Sequence, residues 1–248
     1  LLIENNGESD MNVFIVYAHP DVKSFNYALK DVAFESLTDA GHRVTISDLY
    51  AMDFNPVLTP RDYNQPTIEN QENIQDQQDE LREDDTLAED ILIEQEKLKW
   101  CDFLILQFPL WWFSMPAIMK GWVDRVFAMD FAYTKGQWYN EGMLQGRKAM
   151  LSVTTGGAQH MFTNTGIHGP IDDILFHIHH GMLYYVGFQV LPPFIVWQPG
   201  RFPDVERKKY IEEYRQRLLR LETIKPIFYP RLEDFDDNYQ LKKGSGRK

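Results

Sequence analysis

Three short stretches carry side chains that could hold an anion, a flat ring and a growing negative charge. The first, HPDVKSFN (residues 19–26), gathers His19, Lys23, Ser24 and Asn26 ahead of a helical pattern. The free N–H groups and partial positive charge of a helix N-terminus suit phosphate, and these side chains add donors. Helix capping by Ser24 or Asn26 explains the same residues as well. The second, PLWWF (109–113), puts Trp111, Trp112 and Phe113 in a turn. Large aromatics there lose the gain of burial unless something flat covers them. A planar heteroaromatic ring would do so; a core or subunit contact is the other reading. The third, TTGG (154–157), offers the Thr154 and Thr155 hydroxyls and two glycines. Gly156 and Gly157 let backbone N–H groups approach a ligand closely and stabilise negative charge that develops on it.

These stretches can cooperate only if the elements before them end on one edge. VFIVYA (13–18) is an apolar run of strand length, and Leu29, Val32, Ala33 and Leu37 follow at helical spacing up to Gly41. HRVTISDL (42–49), CDFLILQFP (101–109) and KAMLSVTT (148–155) read as further strands, and GFQVLPPFIVW (187–197) contains a fifth. Helices are expected over 87–99, 170–184 and 204–221, and after residue 114, with Ser114 as cap and Pro116 in the first turn. The buried stripe of that helix is Ile118, Met119, Trp122, Val123 and Val126. Strands apolar on both faces, alternating with helices, predict an α/β fold: a doubly wound, five-stranded parallel sheet with helices on both faces. Such sheets bind ligands beyond the carboxyl ends of their strands, where all three stretches fall. Phosphate at one end, a flat ring between and an anion stabiliser beyond point to a flavin. Neither GxGxxG nor a Walker loop is present.

Composition narrows the classes. The net charge is −12, and residues 69–96 hold twelve acids against Arg82. The remainder is near neutral, which excludes the basic footprint of nucleic-acid binding. The acidic stretch reads as a solvated helical face. No apolar run is long enough to span a bilayer and no leader precedes Met11, so a cytoplasmic protein without membrane insertion is expected. The single cysteine, Cys101, fits a reducing compartment. His177, His179 and His180 have spacing that could suit a metal, but no cysteine is suitably placed, and no metal site is expected. Residues 1–11 read as a tail, 12–225 as the catalytic domain with an excursion and helix at 58–98, and 226–248 as a C-terminal tail.

Taken together, IVYAHP and SFNYALK, SDLYAMDFNP, FPLWWFSMPAIMKGWVDRVF, LSVTTGG and GIHG resemble the NAD(P)H:quinone oxidoreductases of the DT-diaphorase type. The resemblance runs from about residue 12 to about residue 221, in order and with similar spacing. It implies a flavodoxin-like fold, a homodimer with active sites at the interface, bound FAD, NAD(P)H as co-substrate and two-electron reduction of quinones by ping-pong hydride transfer. By position it assigns His19, Lys23, Ser24, Phe25, Asn26 and Ala28 to the diphosphate and ribityl end of the cofactor. Pro109, Leu110, Trp111, Trp112 and Phe113 would line the ring, Thr154, Thr155, Gly156 and Gly157 would meet its polar edge, and Arg207 would lie near the adenine. Trp112, Phe113, Met161 and His168 would form the substrate face, with Tyr133 and Tyr185 from a partner subunit or the pocket wall.

Some positions depart from the family. Phe162 stands beside the cofactor where relatives often have Tyr, and it cannot donate a hydrogen bond. Charge relief would then rest on His168 with Gly156 and Gly157. Lys135 replaces a second pocket tyrosine of some relatives, which bears on substrate choice. Two other functions fit the same fold: an FMN-dependent azo- or nitroreductase, and a redox-sensing ancillary subunit of a cation-efflux channel.

Overall fold

The computed structural model describes residues 10–63 and 87–245, so the acidic run up to residue 86 and the first nine residues lie outside the described part. The strands are β1 (Asn12–Tyr17), β2 (Arg43–Asp48), β3 (Phe103–Pro109), β4 (Lys148–Thr155), β5 (Gln189–Val190) and β6 (Phe194–Trp197). The helices are α1 (Phe25–Asp39), α2 (Glu89–Trp100), α3 (Ala117–Val126), α4 (Ile171–Ile178) and α5 (Asp204–Leu218). The sheet runs β2-β1-β3-β4-β5, with β6 also on β4, and every pairing is parallel. The expected fifth strand is therefore split. Pro192 and Pro193 cannot donate to a ladder, so they interrupt an edge strand that pairs with β4 on either side of them.

Alternate residues of the central strands face opposite layers. Phe14, Val16, Leu104 and Leu106 pack with Leu98 of α2, Trp122 of α3 and Leu175 of α4. Val13, Ile15, Phe103 and Ile105 pack with Leu29 of α1 and Tyr214 of α5. Helices cover both faces, which explains the continuous apolar runs.

Two local expectations are corrected. Ser114 does not cap α3: Pro116 occupies the cap position, while the Ser114 hydroxyl lies 3.0 Å from His177 Nε2. The acidic helix α2 is not a simple solvated face, because Glu94 is fully buried. Its carboxylate accepts from Ser47 Oγ (2.9 Å), Lys97 Nζ (2.5 Å) and Trp122 Nε1 (2.8 Å), which offsets its desolvation. Arg125 of α3 is buried in the same way. It donates to Asp62 (2.8 and 3.2 Å), Asp90 (2.5 and 3.1 Å) and Asn55 O (3.0 Å), tying the segment after β2 to α2 and α3. These carboxylates hold the guanidinium protonated, its pKa raised against the pull of burial.

Residues 226–245, expected as a tail, run across the domain. Ile227 N donates to Val190 O (2.7 Å), Tyr184 Oη donates to Pro230 O (2.9 Å), and Tyr229 is buried. No helix among the described residues is long and apolar enough to cross a membrane.

Candidate active site

β1, β3, β4 and β6 end beside one another, and the loops that leave them enclose a cleft of about 910 Å³. From the first loop its wall takes in His19, Lys23, Ser24, Phe25, Asn26 and Ala28. The second contributes Pro109, Leu110 and Trp111, and the third Thr154, Thr155 and Gly156, with Arg207 from α5. A fourth loop, Gln198, Pro199, Gly200 and Arg201, lines it as well and was not anticipated. Pro-Gly marks a turn, and nothing in the sequence ties that turn to a ligand; only the pairing of β6 with β4 brings it there. Gln198, held in the left-handed region at φ 50°, donates from Nε2 to Gly156 O (3.2 Å).

The charge of this wall differs from that of the chain. Among the described residues that line it there is no Asp or Glu, although the sequence has 37 acids against 25 Lys and Arg. The first turn of α1 has no acid either, so no carboxylate within that turn offsets the partial charge of its N-terminus. Ser24 does cap α1, its Oγ accepting from Tyr27 N (3.1 Å). The loop is rigid by its own bonds: Asp21 N donates to His19 Nδ1 (3.0 Å) and Lys23 N to Asp21 Oδ1 (2.8 Å). Arg207 is oriented by a bond from Nε to Phe202 O (3.0 Å). An anion with several acceptor oxygens suits such a wall.

The aromatic turn is strained. Trp111 N and O pair with Ser114 O and N at 3.0 Å each, closing a two-residue hairpin loop. Trp112 (φ 51°) and Phe113 (φ 61°) both occupy the left-handed region. Asn and Gly normally fill such turns, and two bulky residues there store strain. Trp112 is 96 % exposed, so it is no core residue, and Trp111 is 40 % exposed with its ring 5.9 Å from that of His19.

Trp112, Phe113, Gly157 and Phe162 fall outside the cleft wall as such; all but Trp112 belong to an adjoining cluster with His168. The His168 ring meets Phe113 edge-on at 5.2 Å and Phe162 at 4.8 Å, and His168 N donates to Met161 O (2.9 Å). Gly157 is required by close approach: a Cβ there would stand 2.7 Å from the Phe162 ring. Thr155 Oγ1 donates to Gly157 O (2.7 Å), which fixes the glycine loop. Tyr133 and Tyr185 pack on each other at 5.4 Å, and Tyr185 borders a different, aromatic cavity of about 310 Å³ with Trp138, Tyr139, Phe235 and Tyr239. Burial raises the Tyr185 phenol above its usual range, with Tyr133 and Tyr139 adding to the effect. Lys135 is exposed in the turn between Thr134 and Gln137. The three clustered histidines diverge. His177 turns to Ser114 and Ile174 O, His179 is buried, and His180 stacks on Phe176 at 4.8 Å. Among the described residues no group of three or more His, Cys, Asp or Glu could hold a metal ion.

A parallel sheet in this order with an anion-receptive crest defines a flavodoxin-like protein. The chain belongs to the family described as Flavodoxin-like fold, whose profile residues 11–219 match. It is 44 % identical over 219 residues to the ribosyldihydronicotinamide dehydrogenase [quinone] of Homo sapiens, covering 87 % of this chain and 94 % of that one. It is 40 % identical to NAD(P)H dehydrogenase [quinone] 1 of Rattus norvegicus over 227 residues, covering 91 % and 83 % of the two chains. A solved candidate quinone reductase from Klebsiella pneumoniae superimposes with a TM-score of 0.89 at 38 % identity, covering 96 % of this chain and 97 % of that one.

Proposed function

We propose that the chain is an enzyme that reduces quinones by two electrons with NAD(P)H through a bound FAD, as a homodimer. The cleft at the carboxyl ends of the strands carries this reading: its described wall holds His19, Lys23, Arg201 and Arg207 and no acid, in a chain whose net charge is −12. The family relationship supplies the substrate class, since the rat and human relatives, 40 % and 44 % identical, are named quinone dehydrogenases. The cleft residues fit an anionic dinucleotide. Lys23, Ser24, Asn26 and the amides opening α1 receive the diphosphate. Pro109, Leu110 and Trp111 flank the ring, and Arg201 and Arg207 face the adenosine half.

When bound, the flavin supplies the site that accepts and later gives up an electron pair. The amides of Gly156 and Gly157 and the ring of His168 stabilise negative charge at its polar edge. Phe162 serves as a wall that orients His168, since a phenyl ring donates no hydrogen bond. Trp112, Phe113, Met161 and His168 hold the dihydronicotinamide and then, after it leaves, the quinone. Tyr133, Tyr185 and the aromatic cavity beside them complete the site of the other subunit.

The test is the visible spectrum of the purified protein before and after NADH under nitrogen. A flavin spectrum that bleaches is expected, and a folded protein that stays colourless when soaked with flavin would sink the reading. Mass spectrometry of the released cofactor separates FAD from FMN. Parallel double-reciprocal lines are expected with NADH, NADPH or dihydronicotinamide riboside as donor, and intersecting lines would exclude one shared place for donor and quinone. Sedimentation should give a dimer; full turnover by a monomer would remove the second subunit from the site.

A further inference from the structure

Gln107 lies in the central strand β3, opposite Tyr17 of β1 and Ser152 of β4, and is fully buried. An apolar residue would suit this position better for stability alone. The Gln107 Oε1 atom finds no partner among the described residues, and a buried acceptor left unpaired is destabilising. Its amide nitrogen, however, has a definite use. Gln107 Nε2 donates to Asn26 Oδ1 at 2.9 Å, and Asn26 Nδ2 donates to Thr154 Oγ1 at 2.8 Å. The chain of bonds joins the centre of the sheet, the first turn of α1 and the end of β4, and Asn26 and Thr154 both line the cleft.

The direction of these bonds matters. An asparagine amide has an accepting end and a donating end, and either could face Thr154. With Gln107 donating to its oxygen, Asn26 presents its N–H to Thr154. The Thr154 hydroxyl therefore accepts from below and keeps its own hydrogen. Its neighbour Thr155 has no such freedom, because its hydroxyl already donates to Gly157 O.

We propose that Gln107 is a positioning residue of the flavin site: it orients the Asn26 amide so that the Thr154 hydroxyl is left as a donor to the cofactor. This rests on the flavin reading above. Without Gln107, Asn26 can turn over, accept from Thr154 and consume that donor.

The test compares apoproteins titrated with FAD, with binding read by quenching of FAD fluorescence. Gln107→Met removes both amide groups at similar length. It should melt close to the parent yet bind FAD about ten-fold more weakly, the size expected for one hydrogen bond. Thr154→Val should lose a similar factor, Thr154→Ser should lose little, and the Gln107→Met/Thr154→Val double variant should lose no more than either alone. Losses that multiply, or a Gln107→Met protein that melts lower but binds FAD like the parent, would overturn the assignment. Hydrogen exchange of the Asn26 side-chain amide in the unmutated apoprotein needs no variant to fold. Slow exchange is expected, and exchange as fast as at exposed asparagines would also overturn it. A parent apoprotein with no affinity for FAD or FMN would remove the flavin reading, and this inference with it.

Discussion

The seam between α2 and α3 and the crest above the sheet treat polar groups in opposite ways. In the seam, Glu94 and Arg125 are buried and every strong donor or acceptor they offer is met by a named partner. On the crest, Lys23 and Arg201 have no acidic partner among the described residues, and Trp112 stands almost wholly in water on a strained backbone. Both regions depart from the pattern of apolar inside and polar outside. The seam resolves the departure internally, so it is structural. The crest leaves it open among the described residues, as a surface suited to receive an anion and a flat ring would.

Breaking the seam should have the largest effect. Arg125→Met leaves the buried Asp62 carboxylate without its partner, and a loss of about 3–5 kcal/mol in urea unfolding is expected. A loss below 1 kcal/mol would mean that the seam is no tighter than an exposed ion pair. His179 marks an exception within the buried region, since its Nε2 has no partner among the described residues. Burial, with His177 nearby, lowers its pKa from 6.5 to about 4. Between those values the unfolded chain binds a proton that the folded chain refuses. Stability is therefore full above pH 6.5 and falls as the pH drops toward 4, by up to about 3 kcal/mol. His179→Gln should flatten that slope, and an unchanged slope would assign it to other groups.

On the crest, His168→Ala should slow reduction of the enzyme by NADH about ten-fold or more in stopped flow, without lowering the melting temperature. An unchanged rate would make His168 a packing residue of the Phe113–Phe162 cluster. The smallest effect should come from Trp112→Gly, which relieves one left-handed non-glycine residue. The apoprotein should gain about 1 kcal/mol while turnover falls. A loss of stability would show that the turn is not strained.

Much of this molecule is legible in its sequence, and the exceptions have physical reasons. The runs at 13–18, 101–109 and 148–155 announce strands because both sheet faces are covered, so no polar alternation blurs them. The three loops that line the cleft are legible because chemistry-bearing residues cluster after each strand. Gln198–Arg201 is not legible, since its role comes from the register of β6 on β4 and not from its side chains. Glu94 misleads because it lies in an acidic run, and its partners Ser47 and Trp122 are 47 and 28 residues away. Ser114 misleads because a residue suited to capping is drawn instead into the hairpin loop with Trp111.

The interrupted fifth strand also guards the molecule against its neighbours. An open sheet margin invites strands of other chains to zip on and aggregate. Here Pro192 and Pro193 withhold two donors, the Arg217 guanidinium occupies Pro192 O, and Ile227 N occupies Val190 O. Around the break between β5 and β6, a foreign strand would therefore find two donors missing and two acceptors already taken.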